Sequence, residues 1–343
     1  MTEDAGSTEA GTGNGPKRVF VLGATGTIGQ ATVRALVRRG HDVVCFLRHR
    51  AGPSSGKGHD IAAEPGGTVT IRYGDVTDPA SLEHDGFQGE HFDALVSCMA
   101  SRTGAPRDAW AIDHQAHMDA MAAAGRHGVT HIVLLSAICV QKPLLAFQHA
   151  KLAIEKSLAE SGLTYSIVRP TAYFKSLAGQ IDRLRNGKPF LVFGDGNLTA
   201  CKPIGADDLG RYLAECLDDP ARQNKILPIG GPGDAMTPLE QGALLFSLIG
   251  KPPRFRHVPV ALLRTIAATL GTLGHIVPPL ADKAELARIG LYYATESMLI
   301  LDPATGRYDA EATPSFGAQT LADYYAALLQ GEIPDERGEH AVF

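Results

Sequence analysis

Three glycines, Gly23, Gly26 and Gly29, stand three residues apart in "LGATGTIG". The apolar run "RVFVLG" leads into them, and the periodic run "TIGQATVRALVRRG" follows. Glycine at a strand-to-helix junction lets an anion reach backbone N–H groups at a helix N-terminus, where partial positive charge collects. A dinucleotide pyrophosphate is the ligand this pattern suits. Gly23, Thr25, Gly26, Ile28 and Gly29 are the turn residues expected to meet it. The next apolar run ends "CFLRHR". A carboxylate there would hold a free ribose 2′-hydroxyl. Arg48, backed by Arg50 and Lys57, would instead pair with a 2′-phosphate through charge-assisted hydrogen bonds, so the expected cofactor is NADPH. "GDV" after the third run offers Asp75 and Val76 to the adenine, and "SCMASR" (97–102) the adenosine side. Asp75 has a second reading, as a turn or helix cap.

These residues need a scaffold that brings strand ends to one edge. The runs at 18–23, 42–48, 69–76, 92–100, 131–137 and 164–170 read as strands, separated by helical or glycine-rich segments. "WAIDHQAHMDAMAAAGRHG" and residues 147–161 read as helices. Strands too apolar to face water, alternating with helices, imply a parallel sheet covered on both faces. The fold class is α/β, a doubly wound parallel sheet of Rossmann type, with a smaller C-terminal substrate-binding lobe. The expected division is a tail at 1–16, an NADPH-binding domain at 17–170, and a mixed lobe at 171–335 that also adds to the main sheet. In the lobe, β-prone runs flank the turn residues 194–197, and "GADDLGRYLAECLDD" reads as a helix capped by Asp. "TPLEQGALLFSLIG" opens with Thr237 as N-cap, Pro238 at N1 and Glu240 at N3. "SMLILDPATGRYD" reads as two strands around a turn.

The chain of 343 residues carries a formal charge of -5, which offers no basic excess for nucleic acid. Its five cysteines are scattered, without a CxxC, so neither a disulfide frame nor a metal site is expected. The first 18 residues are acidic and Gly/Ser/Thr-rich, unlike a signal or transit peptide. The apolar stretch at 258–280 is interrupted by Arg264, Gly271, Gly274 and His275, and reads as a buried or interfacial helix rather than a span. The expectation is a bacterial cytoplasmic protein that touches a membrane at most peripherally.

On these residues the chain resembles the atypical short-chain dehydrogenase/reductases. Ser136 and Lys151 stand where that family has its catalytic Ser and Lys. Phe147, four residues before Lys151, occupies the position of its catalytic Tyr. A closer resemblance covers residues 18 to 330. "SCMASR", "LLSAICVQKPLLAFQHAKL", "TYSIVRPTAYFKSL", "FGDGNLTACKPI" and "YYATESMLILDPATGRYD" are similar to blocks of the divinyl chlorophyllide a 8-vinyl reductases. That family has Phe at this position in its own "LLxFQxAKL" block. The resemblance implies an NADPH-dependent reduction of a vinyl group on divinyl chlorophyllide or protochlorophyllide a, in (bacterio)chlorophyll synthesis. It gives Lys151 and Pro170 to the nicotinamide side and Phe147 and Phe174 to the tetrapyrrole. A carbonyl reductase builds charge on oxygen and needs a donor there, whereas a vinyl reductase builds it on carbon, so a missing hydroxyl at Phe147 is compatible with turnover. Lys151, Tyr173 and Tyr165 are the candidate proton donors; Ser136 and Tyr173 complete the expected catalytic set with Lys151. Lys142, Lys175 and Lys202 are candidates for the pigment carboxylate. A reductase or isomerase of another substrate, and a dinucleotide-sensing regulator, are the competing readings.

Overall fold

The computed structural model describes residues 15–48, 68–274 and 279–333. Arg50, Lys57 and the expected tail up to residue 14 lie outside them. Six apolar segments form strands β1 (Arg18–Leu22), β2 (Asp42–Leu47), β3 (Val69–Tyr73), β4 (Ala94–Ser97), β5 (His131–Leu135) and β6 (Thr164–Pro170). Later in the chain come β7 (Phe190–Phe193), β8 (Lys225–Ile229) and β9 (Phe255–Val258). The main sheet has the order β3-β2-β1-β4-β5-β6-β8, and every pair in it is parallel. The chain winds outward from β1 in both directions, so the carboxyl ends of β1 and β4 lie side by side, with Leu22 opposite Ser97. Ligands of open α/β sheets bind at that crevice.

Helices cover both faces. Helix α1 (Thr27–Arg38) packs on one face, and α2 (His117–Arg126) and α3 (Ala146–Ala159) on the other. Helix α4 (Ala206–Glu215), from the second half of the chain, joins α1. The first face buries Val19, Val21, Val33 and Leu213. The second buries Phe20, Phe46, Phe87 and Phe92, with the Phe20 and Phe87 rings stacked at 4.1 Å. Burial of such rings is the main driving term for the sheet.

The lobe has its own core around Phe190, Phe246, Leu321 and Tyr325. Helices α5 (Pro238–Leu248) and α8 (Leu321–Gln330) flank the two-stranded parallel pair β7–β9. The capping box of α5 forms as its sequence predicts: Thr237 Oγ1 accepts from the Glu240 N–H, and the Glu240 carboxylate accepts from the Thr237 N–H. A short hairpin, Ile300–Leu301 with Tyr308–Asp309, also follows its turn chemistry.

Three local expectations differ. The run after residues 194–197 does not return along β7; it makes only isolated bridges, because β9 supplies β7's partner from 62 residues further on. Helix α4 begins at Gly205 without a side-chain cap, and Asp208 turns inward to accept from the Ala318 and Gln319 N–H groups. The stretch at 258–280 holds α6 (Val260–Gly274) and the start of α7 (Pro279–Thr295). Of α6 only Ala267 is buried, and Leu262, Ile266 and Leu273 are exposed. No helix among the described residues is long and apolar enough to cross a membrane.

Candidate active site

The glycine turn is built by two close approaches. Gly23 has φ +75°, and a Cβ there would lie 2.6 Å from the backbone of Cys98 and Met99 on β4's outgoing loop. A Cβ on Gly29 would lie 2.1 Å from the Gly23 carbonyl oxygen. Packing alone thus demands these two glycines. Gly26 differs: its Cβ would meet nothing nearer than the Gly23 oxygen at 3.4 Å. The protein supplies no steric reason for glycine there, which fits a ligand brought against the backbone. Gly26 is also the N-cap of α1, with no side-chain cap and no acid in the first turn. The first N–H groups of a helix lack intrahelical partners, so this end suits a pyrophosphate. Thr25 is exposed beside it, and Ile28 packs partly into the core.

At the same sheet edge, Arg48 follows β2 and is exposed. Asp75 follows β3; its Oδ1 accepts from the Thr77 N–H at 2.9 Å and the Thr77 hydroxyl at 2.7 Å. These bonds hold its carboxyl below the usual range, with Arg48 adding to the effect. The turn reading of Asp75 is therefore realised. Val76 is buried in the sheet core, so only its backbone is available to an adenine.

Lys151 lies on α3 with Phe147 one turn before it, as i,i+4 spacing requires. Its ammonium forms an ion pair of 3.0 Å with Asp113. Asp113 has no exposed surface and sits in a π-helical stretch, Ala109–Ala116, that runs into α2. Such stretches recur at functional sites because they redirect one side chain. Asp113 Oδ1 also accepts from the Ser101 N–H, whereas Oδ2 is buried without a hydrogen-bond partner. An unmatched acceptor beside Lys151 fits a group that brings hydroxyls, as a nicotinamide ribose does. Beyond Asp113, His117 donates from Nδ1 to the Ile112 carbonyl, leaving Nε2 to accept from the Ser97 hydroxyl at 2.8 Å. Burial, with Lys151 adding, lowers the His117 pKa to about 4.

Two expected site residues have partners within the fold. The Ser136 hydroxyl donates to Glu155, which also binds Arg169. Glu155 is one turn past Lys151 and buried, and a buried carboxylate needs such partners. Ser136, expected in the catalytic set, thus joins Glu155 and Arg169 in a buried polar triad. Phe174, expected at the substrate, packs in the lobe core: it is 2% exposed and lies 5.4 Å from the Tyr324 ring. The short helix Phe174–Leu177 turns its first side chain into the lobe.

Phe147 stays partly open, packed with Cys139, Ile289 and Tyr292. Pro170 ends β6 at the same edge. Tyr173, three residues on, is half-buried near Cys98 and Cys139, and burial pushes its phenol's pKa up. Tyr165 lies near the amino end of β6, at the opposite edge of the sheet. Of the three lysines, Lys142 pairs with Glu296 at 2.7 Å, and Lys202 donates to the Thr313 carbonyl. Lys175 reaches from the lobe to the Thr27 hydroxyl at 2.9 Å, which puts a cation at the first residue of α1. Asp113 and the position of Lys175 are the site features that sequence reasoning missed. A carboxylate inside the apolar run "WAIDHQAHM" was the available signal for Asp113.

A family model described as NAD(P)H-binding matches residues 23–220. The chloroplastic divinyl chlorophyllide a 8-vinyl-reductase of Oryza sativa subsp. indica is 47% identical over 331 residues, covering 95% of this chain and 82% of that protein. Its counterpart from Zea mays is 46% identical over the same shares. Among solved structures, leucoanthocyanidin reductase of Vitis vinifera with NADPH superposes with a TM-score of 0.66 at 18% identity, covering 91% of this chain and 99% of that one. That likeness is one of fold. The expectation of a bacterial cytoplasmic protein is overturned: the relatives that match nearly the whole chain are chloroplastic plant proteins.

Proposed function

The chain belongs to the divinyl chlorophyllide a 8-vinyl-reductases, and we propose that it reduces the 8-vinyl group of divinyl chlorophyllide or protochlorophyllide a to ethyl with NADPH. The observation that carries this reading at the site is Phe147 beside a Lys151 held by Asp113. The position keeps its cofactor-orienting lysine and lacks the hydroxyl that a carbonyl substrate would need.

NADPH, when bound, supplies the hydride. The N-terminus of α1, with Gly26 open before it and Lys175 at Thr27, would hold the pyrophosphate. Arg48 would meet the 2′-phosphate, and Asp75 and the Val76 backbone the adenine. Lys151 would donate to the nicotinamide ribose, its direction fixed by Asp113. Phe147, with Ile289 near it, offers an apolar wall to a flat macrocycle, so orientation carries much of the catalysis.

The test is optical. Purified protein, NADPH and divinyl chlorophyllide a should give the blue shift of the Soret band that accompanies loss of a conjugated vinyl group; NADH runs in parallel. No shift with either nucleotide, in protein that binds NADPH, would refute the reading.

A further inference from the structure

Phe147 leaves the site without the phenol that its fold position would normally carry, and the structure brings another from a different element. Helix α7 is fastened to the loop after β5. The Tyr292 hydroxyl donates to the carbonyls of Cys139 and Lys142 at 2.8 and 3.1 Å. Glu285 accepts from the Ala146 N–H at the start of α3, and Arg288 donates to the Leu144 carbonyl. These anchors leave one face of α7 directed at the site. Ile289 is on that face: a Cβ built on Gly104 would lie 3.0 Å from Ile289 Cδ1 and 3.5 Å from Phe147 Cδ1. Tyr293 is four residues on, one turn further along the same face. Its hydroxyl lies 4.0 Å from Cys139 Sγ. Its ring is 38% exposed, although burial, followed by Cys139 and Tyr173, raises its pKa.

Tyr173, near Cys98 and Cys139, is the rival phenol; the remaining proton sources are committed or misplaced. Lys151 is in a buried ion pair, Ser136 donates to Glu155, and Tyr165 is at the far sheet edge. We propose that the Tyr293 hydroxyl is the general acid that completes reduction of the vinyl group; this rests on the reductase reading above. The terminal vinyl carbon gains a C–H bond from the hydride of NADPH, which is oxidised to NADP+. The vinyl π pair shifts to the inner carbon and the macrocycle. The O–H bond of Tyr293 then breaks, the proton forms the second C–H bond at the inner carbon, and water restores the phenol. A phenol is a weak acid but a far stronger one than the C–H bond it forms, so proton transfer to the carbanionic carbon is downhill.

The test compares wild type, Tyr293→Phe and Tyr173→Phe in the Soret assay, with NADPH binding read separately from nucleotide fluorescence. The expected result for Tyr293→Phe is a kcat lower by about 100-fold, with pigment KM and NADPH Kd within about twofold of wild type. The solvent deuterium effect on kcat should change in that variant. A Tyr293→Phe enzyme with kcat within about threefold of wild type overturns the proposal. So does a kcat loss accompanied by an equal loss of NADPH binding, which would mean a structural role. A large loss confined to Tyr173→Phe overturns it in favour of that residue. A wild type that binds NADPH but never shifts the Soret band removes the reductase reading itself, and the proposal with it.

Discussion

Lys151 and Asp113 meet at 3.0 Å across the α3–α2 side of the sheet, with the carboxylate fully shielded from solvent and its Oδ2 without a hydrogen-bond partner. A buried charge without its partner is strongly unfavourable, so the pair works as a unit. Asp113→Ala should destabilise the fold by about 3 kcal/mol and weaken NADPH binding, read by chemical denaturation and nucleotide fluorescence. Unchanged values for both would mean that Lys151 is positioned by something else.

The glycines of the turn should separate in their effects. Gly29→Ala drives a methyl into the Gly23 carbonyl, so little folded protein is expected. Gly26→Ala meets ordinary contact only, so its melting temperature should stay near wild type while NADPH affinity falls. Equal losses of stability in the two variants would contradict the assignment of Gly26 to the pyrophosphate.

Arg48→Ser should cost about 10- to 100-fold in NADPH affinity and leave NADH nearly unaffected, because a charge-assisted bond to phosphate is removed. Titrations with both nucleotides check this; parallel losses would assign Arg48 to the fold.

Phe147→Tyr restores the hydroxyl of the related reductases. No gain in kcat is expected, since charge develops on carbon rather than oxygen. A several-fold increase would show that an oxygen donor had been missing.

Acid should loosen the fold through two buried histidines. Burial lowers the pKa of both His117 and His131 to about 4, against an ordinary 6.5. Between those values the unfolded chain binds protons that the folded chain refuses. Their contribution is thus whole above pH 6.5 and is lost as pH falls toward 4, by up to about 1.4 kcal/mol per pH unit for each histidine. Urea denaturation across that window should show the slope, and His117→Gln should make it shallower. Parallel curves for the two proteins would refute the link to His117.

Much of this molecule was readable residue by residue. Apolar runs became β1 to β6, Thr237 and Glu240 made their box, and the Gly23–Gly29 turn opened α1 at the expected place. These are signals whose partners lie within a few residues, so periodicity and turn chemistry contain them. The resemblance of whole blocks reached further, to the reaction class, because a long shared pattern carries its tertiary context with it.

Other features depended on segments meeting in space. Asp113 reads as one more helical carboxylate until α3 brings Lys151 against it, and the Ser136 hydroxyl finds Glu155 only when α3 packs beside β5. Phe174 and Phe147 are alike as letters; one points into the lobe core and the other stays open. Tyr293 is 154 residues from Cys139 in the chain and reaches it only because α7 is anchored on the loop after β5. Local propensity specifies which elements form, whereas burial and the pairing of buried polar groups specify which side chains they hold together.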